Sequence, residues 1–102
     1  MYESIFNERL PLLRTKKGVS ARDMSLSIGL SEGYINSVEN QKSYPSMQVF
    51  FYICEYLGVT PAEFFDQDNK HPQEYREIIA DLNKLDPETF HEIKSIIHKL
   101  AK

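Results

Sequence analysis

The stretch SEGYINSVEN, Ser31 to Asn40, gathers several kinds of hydrogen-bonding side chain into a short segment. Glu32 supplies an acceptor-only carboxylate, Asn36 an amide that both donates and accepts, and Ser31 and Ser37 supply hydroxyls. Ile35 and Val38 mark an opposite, apolar side at helical spacing. Such a set suits directional recognition of a polar surface and not the making or breaking of bonds. Cations flank it at Lys16, Lys17, Arg22 and Lys42, yet the stretch itself holds two acids, Glu32 and Glu39, and no base. The two glutamates therefore need separate explanations.

No other residues form an enzyme constellation. His71, His91 and His98 are too scattered, or too polar in setting, to serve as a nucleophile's base. His91 and His98 lie two turns apart, with Glu92 and Ser95 nearby, and fall short of the ligand number a metal needs. There is no glycine-rich phosphate loop. The aromatics Phe50, Phe51, Tyr52, Tyr56, Phe64 and Phe65 sit beside Leu57 and Val59 at helical spacing and read as core, not as a cofactor box. The single cysteine, Cys54, lies within QVFFYICEYLG and reads as a buried structural thiol. The expectation is a protein that is not an enzyme, with no cofactor and no metal.

Helices must position these side chains, because glycine is scarce and β-type alternation is absent. Ile5, Phe6, Leu10 and Leu13 form a first apolar stripe that ends at Gly18 after Lys16 and Lys17; Pro11, lacking an amide hydrogen, predicts a kink or a late start. Ser20 caps a second helix, Ala21 to Ile28, with Asp23 completing an approximate capping box, and Gly29 stops it. Ser31 caps a third from Glu32 to about Glu39, and Ser46 a fourth from Met47 to Leu57. TPAEFF gives a short fifth helix with Thr60 as cap, Pro61 first and Glu63 as reciprocal partner. DQDNKHP is a polar hinge. Beyond it, Tyr75, Ile78, Ile79, Leu82 and Leu85 form one stripe; after Asp86 and Pro87, Phe90, Ile93, Ile97 and Leu100 form another. The reading is all-α: residues 1–67 as a five-helix domain and residues 68–102 as a two-helix tail.

Composition sets the outer bounds. A chain of 102 residues and 11.9 kDa buries a modest core and is often completed by oligomerisation. No run approaches the roughly 18 apolar residues of a membrane span, and MYESIFNERL lacks the basic start of a secretory signal, so no membrane role and a cytoplasmic location are expected. A net charge of −3 disfavours indiscriminate binding to polyanions but permits a local basic patch. Residues 1–42 hold Arg9, Arg14, Lys16, Lys17, Arg22 and Lys42 against Glu3, Glu8, Asp23, Glu32 and Glu39, a near balance.

From LLRTKKGVSARDMSLSIGLSEGYINSVENQKSYPSM through YLGVTPAEFF, residues 4–66, the chain resembles the Cro and phage-repressor type (XRE-like) helix-turn-helix family. Leu13-Arg14, Gly18, Ser20, Gly29, Ser31, Tyr34-Ile35, Glu39, Pro45-Ser46 and Leu57-Gly58-Val59 carry the likeness through their combined spacing. The resemblance implies a cytoplasmic, bacterial or phage-encoded transcriptional regulator of double-stranded DNA, expected to be a repressor. Its third helix would enter the major groove and its second would cross the backbone. Base-reading positions would be Glu32, Gly33, Asn36 and Ser37, although Gly33 has no side chain with which to read. Phosphate contacts would come from Lys16, Lys17, Ser20, Ala21, Arg22, Ser31, Tyr34, Asn40, Lys42, Ser43, Tyr44 and Ser46. Ala21 stands where the family often has a glutamine touching both DNA and the recognition helix.

The resemblance also separates the two glutamates. Glu39 would pair with Arg14 and belong to the scaffold. For Glu32 two readings stand: a residue favouring its own helix dipole, or an acceptor for a cytosine amino group, with Asn36 on adenine and Ser37 on either base. Lys16 and Lys17 likewise suit either phosphate or simple solvation beside a helix C-terminus.

The tail's Ile78, Leu82, Phe90, Ile93, Ile97 and Leu100 are expected to dimerise the chain, the alternative being a tail folded wholly onto its own domain. A twofold dimer implies a palindromic operator with half-sites about 34 Å apart. A competing function is a protein-interaction or antitoxin-like module that keeps the fold with weak or no DNA binding. A second protein partner stays open.

Overall fold

The computed structural model describes residues 1–102 and is helical throughout. Seven helices follow in order: α1 (Tyr2–Lys17), α2 (Ala21–Ile28), α3 (Tyr34–Glu39), α4 (Met47–Leu57), α5 (Pro61–Phe65), α6 (Pro72–Leu82) and α7 (Pro87–Leu100). They fall into two compact units, Met1–Lys70 and His71–Lys102. No helix is long and apolar enough to cross a membrane.

The first unit packs α1 to α5 around Phe6, Leu10, Leu13, Met24, Ile35, Val38, Phe50, Ile53, Cys54, Leu57, Val59 and Phe64. Phe64 is fully buried, with ring centroids 5.4 Å from Phe6, 5.2 Å from Phe50 and 5.2 Å from Phe65. Such edge and tilted contacts add to the burial of large apolar area. Burial pushes the Cys54 thiol up to about 11, which removes its thiolate at neutral pH and leaves it inert.

Two local expectations change. The late start expected at Pro11 is absent: α1 begins at Tyr2 and runs unbroken through the proline. Phe6, Arg9, Leu10 and Leu13 are all buried on one face, so tertiary packing outweighs the amide hydrogen that Pro11 lacks. The third helix starts at Tyr34, not Glu32, and Ser31 does not cap it; Gly33 is the cap residue and offers no side chain. The capping task passes to α2, whose buried Ser25 hydroxyl accepts the Ile35 amide at 3.0 Å and donates to the Ala21 carbonyl at 2.8 Å.

The first compact unit runs to Lys70, where Asn69 is buried and its carbonyl accepts from the guanidinium of Arg9. Arg9 itself is 2% exposed and donates from Nη2 to the Glu63 carbonyl (2.8 Å) and from Nε to the Phe64 carbonyl. It thus donates to carbonyls at the C-terminal end of α5, to Phe64 and, beside the Asp66 amide, to Glu63. Arg9 belongs to the interior and leaves the tally of cations available to a polyanion.

In the second unit, α6 and α7 are joined through Asp86, whose carboxylate caps α7 by accepting the Thr89 amide at 2.7 Å. No residue of α7 is buried.

Candidate nucleic-acid interface

The geometry of α2 and α3 starts with the turn between them. Gly29 ends α2 at φ 89°, a left-handed backbone that a Cβ would strain. The chain reverses there, with the Leu30 amide donating to the Ser25 carbonyl at 2.9 Å. Met24, Ile35 and Val38, each fully buried, fill the crook between the two helices. Together with the Ser25 bridge they fix the angle at which α3 is presented. Ser25 was missed at the level of sequence; a small hydroxyl in the middle of a short amphipathic helix was the available signal.

Arg14 and Glu39 meet in a two-pronged pair, Nε to Oε2 at 2.7 Å and Nη2 to Oε1 at 3.0 Å. The remaining prong, Nη1, donates to the Val19 carbonyl at 2.9 Å. The pair is mostly buried and raises the Arg14 pKa, chiefly through the hydrogen bonds it donates to Glu39, against the opposing cost of burial. It ties the end of α3 to α1 and to the turn that follows α1. Glu39 therefore faces inward and presents no charge to a ligand.

Glu32 has a different partner. Arg22, near the start of α2, donates from Nε to Glu32 Oε2 at 3.1 Å, and both side chains remain about two-thirds exposed. The acid in the turn before α3 is thus compensated by a neighbouring base, so the tip is not a bare negative charge. Gly33 and Asn36 are exposed beside it, and Ser37 is half-buried.

The remaining candidates scatter around this tip. Ser20 and Ser46 are exposed helix caps, accepting the Asp23 amide at 3.0 Å and the Val49 amide at 3.2 Å. Lys16, Ser31, Asn40, Lys42 and Ser43 are exposed. The Lys17 ammonium sits 4.7 Å from the ring centre of Tyr56, a cation–π contact that holds it near the first helix's C-terminus. Ala21 and Tyr34 are half-buried against the core, and burial raises the Tyr34 pKa. The Tyr44 ring stands edge-on to Phe6 at 5.9 Å and lines an apolar hollow of about 440 Å³ with Tyr2, Met47 and Phe51. Between Asn40 and Lys42, Gln41 takes φ 62°, which reverses the chain as it leaves α3.

On the second unit, Leu82, Phe90, Ile93, Lys94 and Ile97 enclose a small hollow of about 140 Å³. Ile78 and Ile97 remain 53% exposed and Leu100 81% exposed. These residues give the second unit an exposed apolar surface.

No curated protein and no solved structure matches the chain. The sequence model of the Helix-turn-helix family, however, matches residues 12–64, the segment that runs from α1 to α5 and contains the whole α2–turn–α3 arrangement. The chain therefore belongs to the Helix-turn-helix family, whose Cro/C1-type members are DNA-binding regulators.

Proposed function

We propose that the protein is a sequence-specific transcriptional repressor that reads a palindromic operator as a homodimer, with α3 in the major groove of each half-site. The observation that carries this reading is the pair α2–α3, locked by Ser25 and the Arg14–Glu39 pair, with its polar tip left exposed. Glu32, Asn36 and Ser37 supply the groups that can meet base edges, while Lys16, Lys17, Arg22 and Lys42 stand at the margins for phosphates. Ser20, Ser31, Asn40, Ser43 and Ser46 add neutral hydrogen bonds.

Arg9 is interior and Arg14 is committed to Glu39, so the electrostatic grip is sparse. The logarithm of affinity accordingly falls with the logarithm of salt at a shallow slope, about −3 to −5 for the dimer. Selection from random duplexes with the purified protein enriches an inverted repeat. Lys42→Ala weakens binding to all duplexes alike and flattens the slope by about 2, one phosphate in each half-site. Absence of enrichment at low salt overturns this reading in favour of a protein-interaction module.

Homodimerisation rests on the tail. An apolar face with Ile78, Phe90, Ile97 and Leu100 this exposed is a surface that seeks a partner, and a second copy presents the same face by twofold symmetry. Ile97→Glu converts a dimer to a monomer in sedimentation and lowers operator affinity by on the order of 100-fold, since one head loses the benefit of the other. A wild-type monomer at micromolar concentration refutes the dimer.

A further inference from the structure

The Arg22–Glu32 pair has a chemistry that goes past charge compensation. Arg22 reaches Glu32 from a different helix, bridging the start of α2 and the turn that opens α3. Its one hydrogen bond to Glu32 runs from Nε to Oε2, so Oε1 keeps its acceptor capacity and the Nη groups of Arg22 keep theirs as donors. Both groups are exposed, 65% and 68%, at the tip that would meet a duplex.

We infer that Arg22 is a positioning residue that holds Glu32 as an acceptor-only reader of cytosine, making this pair the specificity element of the recognition tip. The inference rests on the DNA-reading function proposed above.

The argument is one of matching groups. In the major groove cytosine offers one donor, its N4 amino group, whereas guanine offers two acceptors and thymine one acceptor with a methyl group. A carboxylate is repelled by each acceptor and bonded by the lone donor. Adenine offers a donor next to an acceptor, which suits an amide such as Asn36 better than a carboxylate. With Arg22 fixing Oε2, Glu32 turns Oε1 toward the groove as an acceptor, and cytosine has one donor to give it.

Arg22 also resolves the cost of bringing an acid between two rows of phosphates. In water an exposed ion pair is worth little. In the groove, where water is displaced, the same pair strengthens, because charges interact more strongly at lower effective dielectric. Its Nη donors, on a side chain 65% exposed, can take a phosphate oxygen while Nε keeps Glu32, since a guanidinium forks in one plane. A lysine at this position has no such fork and cannot hold carboxylate and phosphate in one fixed geometry.

The test is a base-by-base affinity profile of the selected operator for wild type, Glu32→Gln, Arg22→Ala, Arg22→Lys and the double variant Glu32→Gln with Arg22→Ala. Thermal unfolding is measured in parallel; both side chains are exposed, so the melting temperature stays close to wild type. Wild type prefers cytosine at one position per half-site by on the order of tenfold. Glu32→Gln shifts that preference away from cytosine. Arg22→Ala weakens all duplexes and also erases the cytosine preference; Arg22→Lys restores overall affinity without the preference. In the double variant, Arg22→Ala changes the profile no further. An inverted repeat bound with a profile that neither Glu32→Gln nor Arg22→Ala alters overturns the inference and leaves the DNA-reading function standing. A profile altered by Glu32→Gln alone overturns the positioning role of Arg22. Failure of wild type to select any duplex overturns the function itself, and this inference with it.

Discussion

Arg9→Met destabilises the first unit by about 3 kcal/mol and lowers its melting temperature by roughly 15 °C. A methionine preserves most of the side chain's apolar bulk, so the loss isolates the hydrogen bonds. Removing the guanidinium takes a donor from the carbonyls of Glu63, Phe64 and Asn69, of which Glu63 keeps the Asp66 amide. A buried acceptor that loses its donor costs about 1–3 kcal/mol, partly offset because a buried charge has also been removed. That charge is itself under strain: burial holds the Arg9 guanidinium below its ordinary pKa, and Asp66 and Glu8 pull it back up. Arg9→Lys retains the charge but not the planar fork, so it recovers only part of the loss. Chemical denaturation followed by circular dichroism measures both variants. A loss below about 1 kcal/mol for Arg9→Met would mean that the three carbonyls find other donors.

Arg9 also shows why the sequence could be read only so far. Helix starts marked by Ser20, Ser46, Thr60 and Asp86 were legible, because each cap is satisfied within four residues of itself. The start of α3 was not, because its capping hydroxyl is Ser25, ten residues upstream on another helix. The tie that holds Asn69 to the first unit was not legible for the same reason: its partner is a side chain 60 residues away. An arginine in a helix reads as a surface cation until its carbonyl partners are known. The candidate site follows the same rule. Its polar tip and flanking lysines were visible in residue types and spacing, whereas the Arg22–Glu32 pair depends on how far the turn at Gly29 swings one helix against the other.

Glu39→Ala is expected to cost about 2 kcal/mol in stability, and far more in duplex binding than that loss explains. The two hydrogen bonds from Arg14 to Glu39 are mostly shielded from water, with side-chain exposures of 19% and 13%. Breaking a pair so shielded costs more than its net strength, since a partly buried guanidinium is left with the Val19 carbonyl alone. The binding loss has a separate origin. α3 is only six residues long, too short to hold a direction by its own hydrogen bonds. Its beginning is fixed by Ser25 and its end by Arg14, so freeing the end lets the tip swing while Ile35 and Val38 stay in the core. Arg14→Ala with Glu39→Ala removes the stranded charge and recovers part of the stability, but not the binding, because the tie itself is still missing. Denaturation and duplex titration on the two single variants and the double variant separate these effects. Full recovery of binding in the double variant would show that α3 keeps its direction without the tie, leaving the pair only a role in stability.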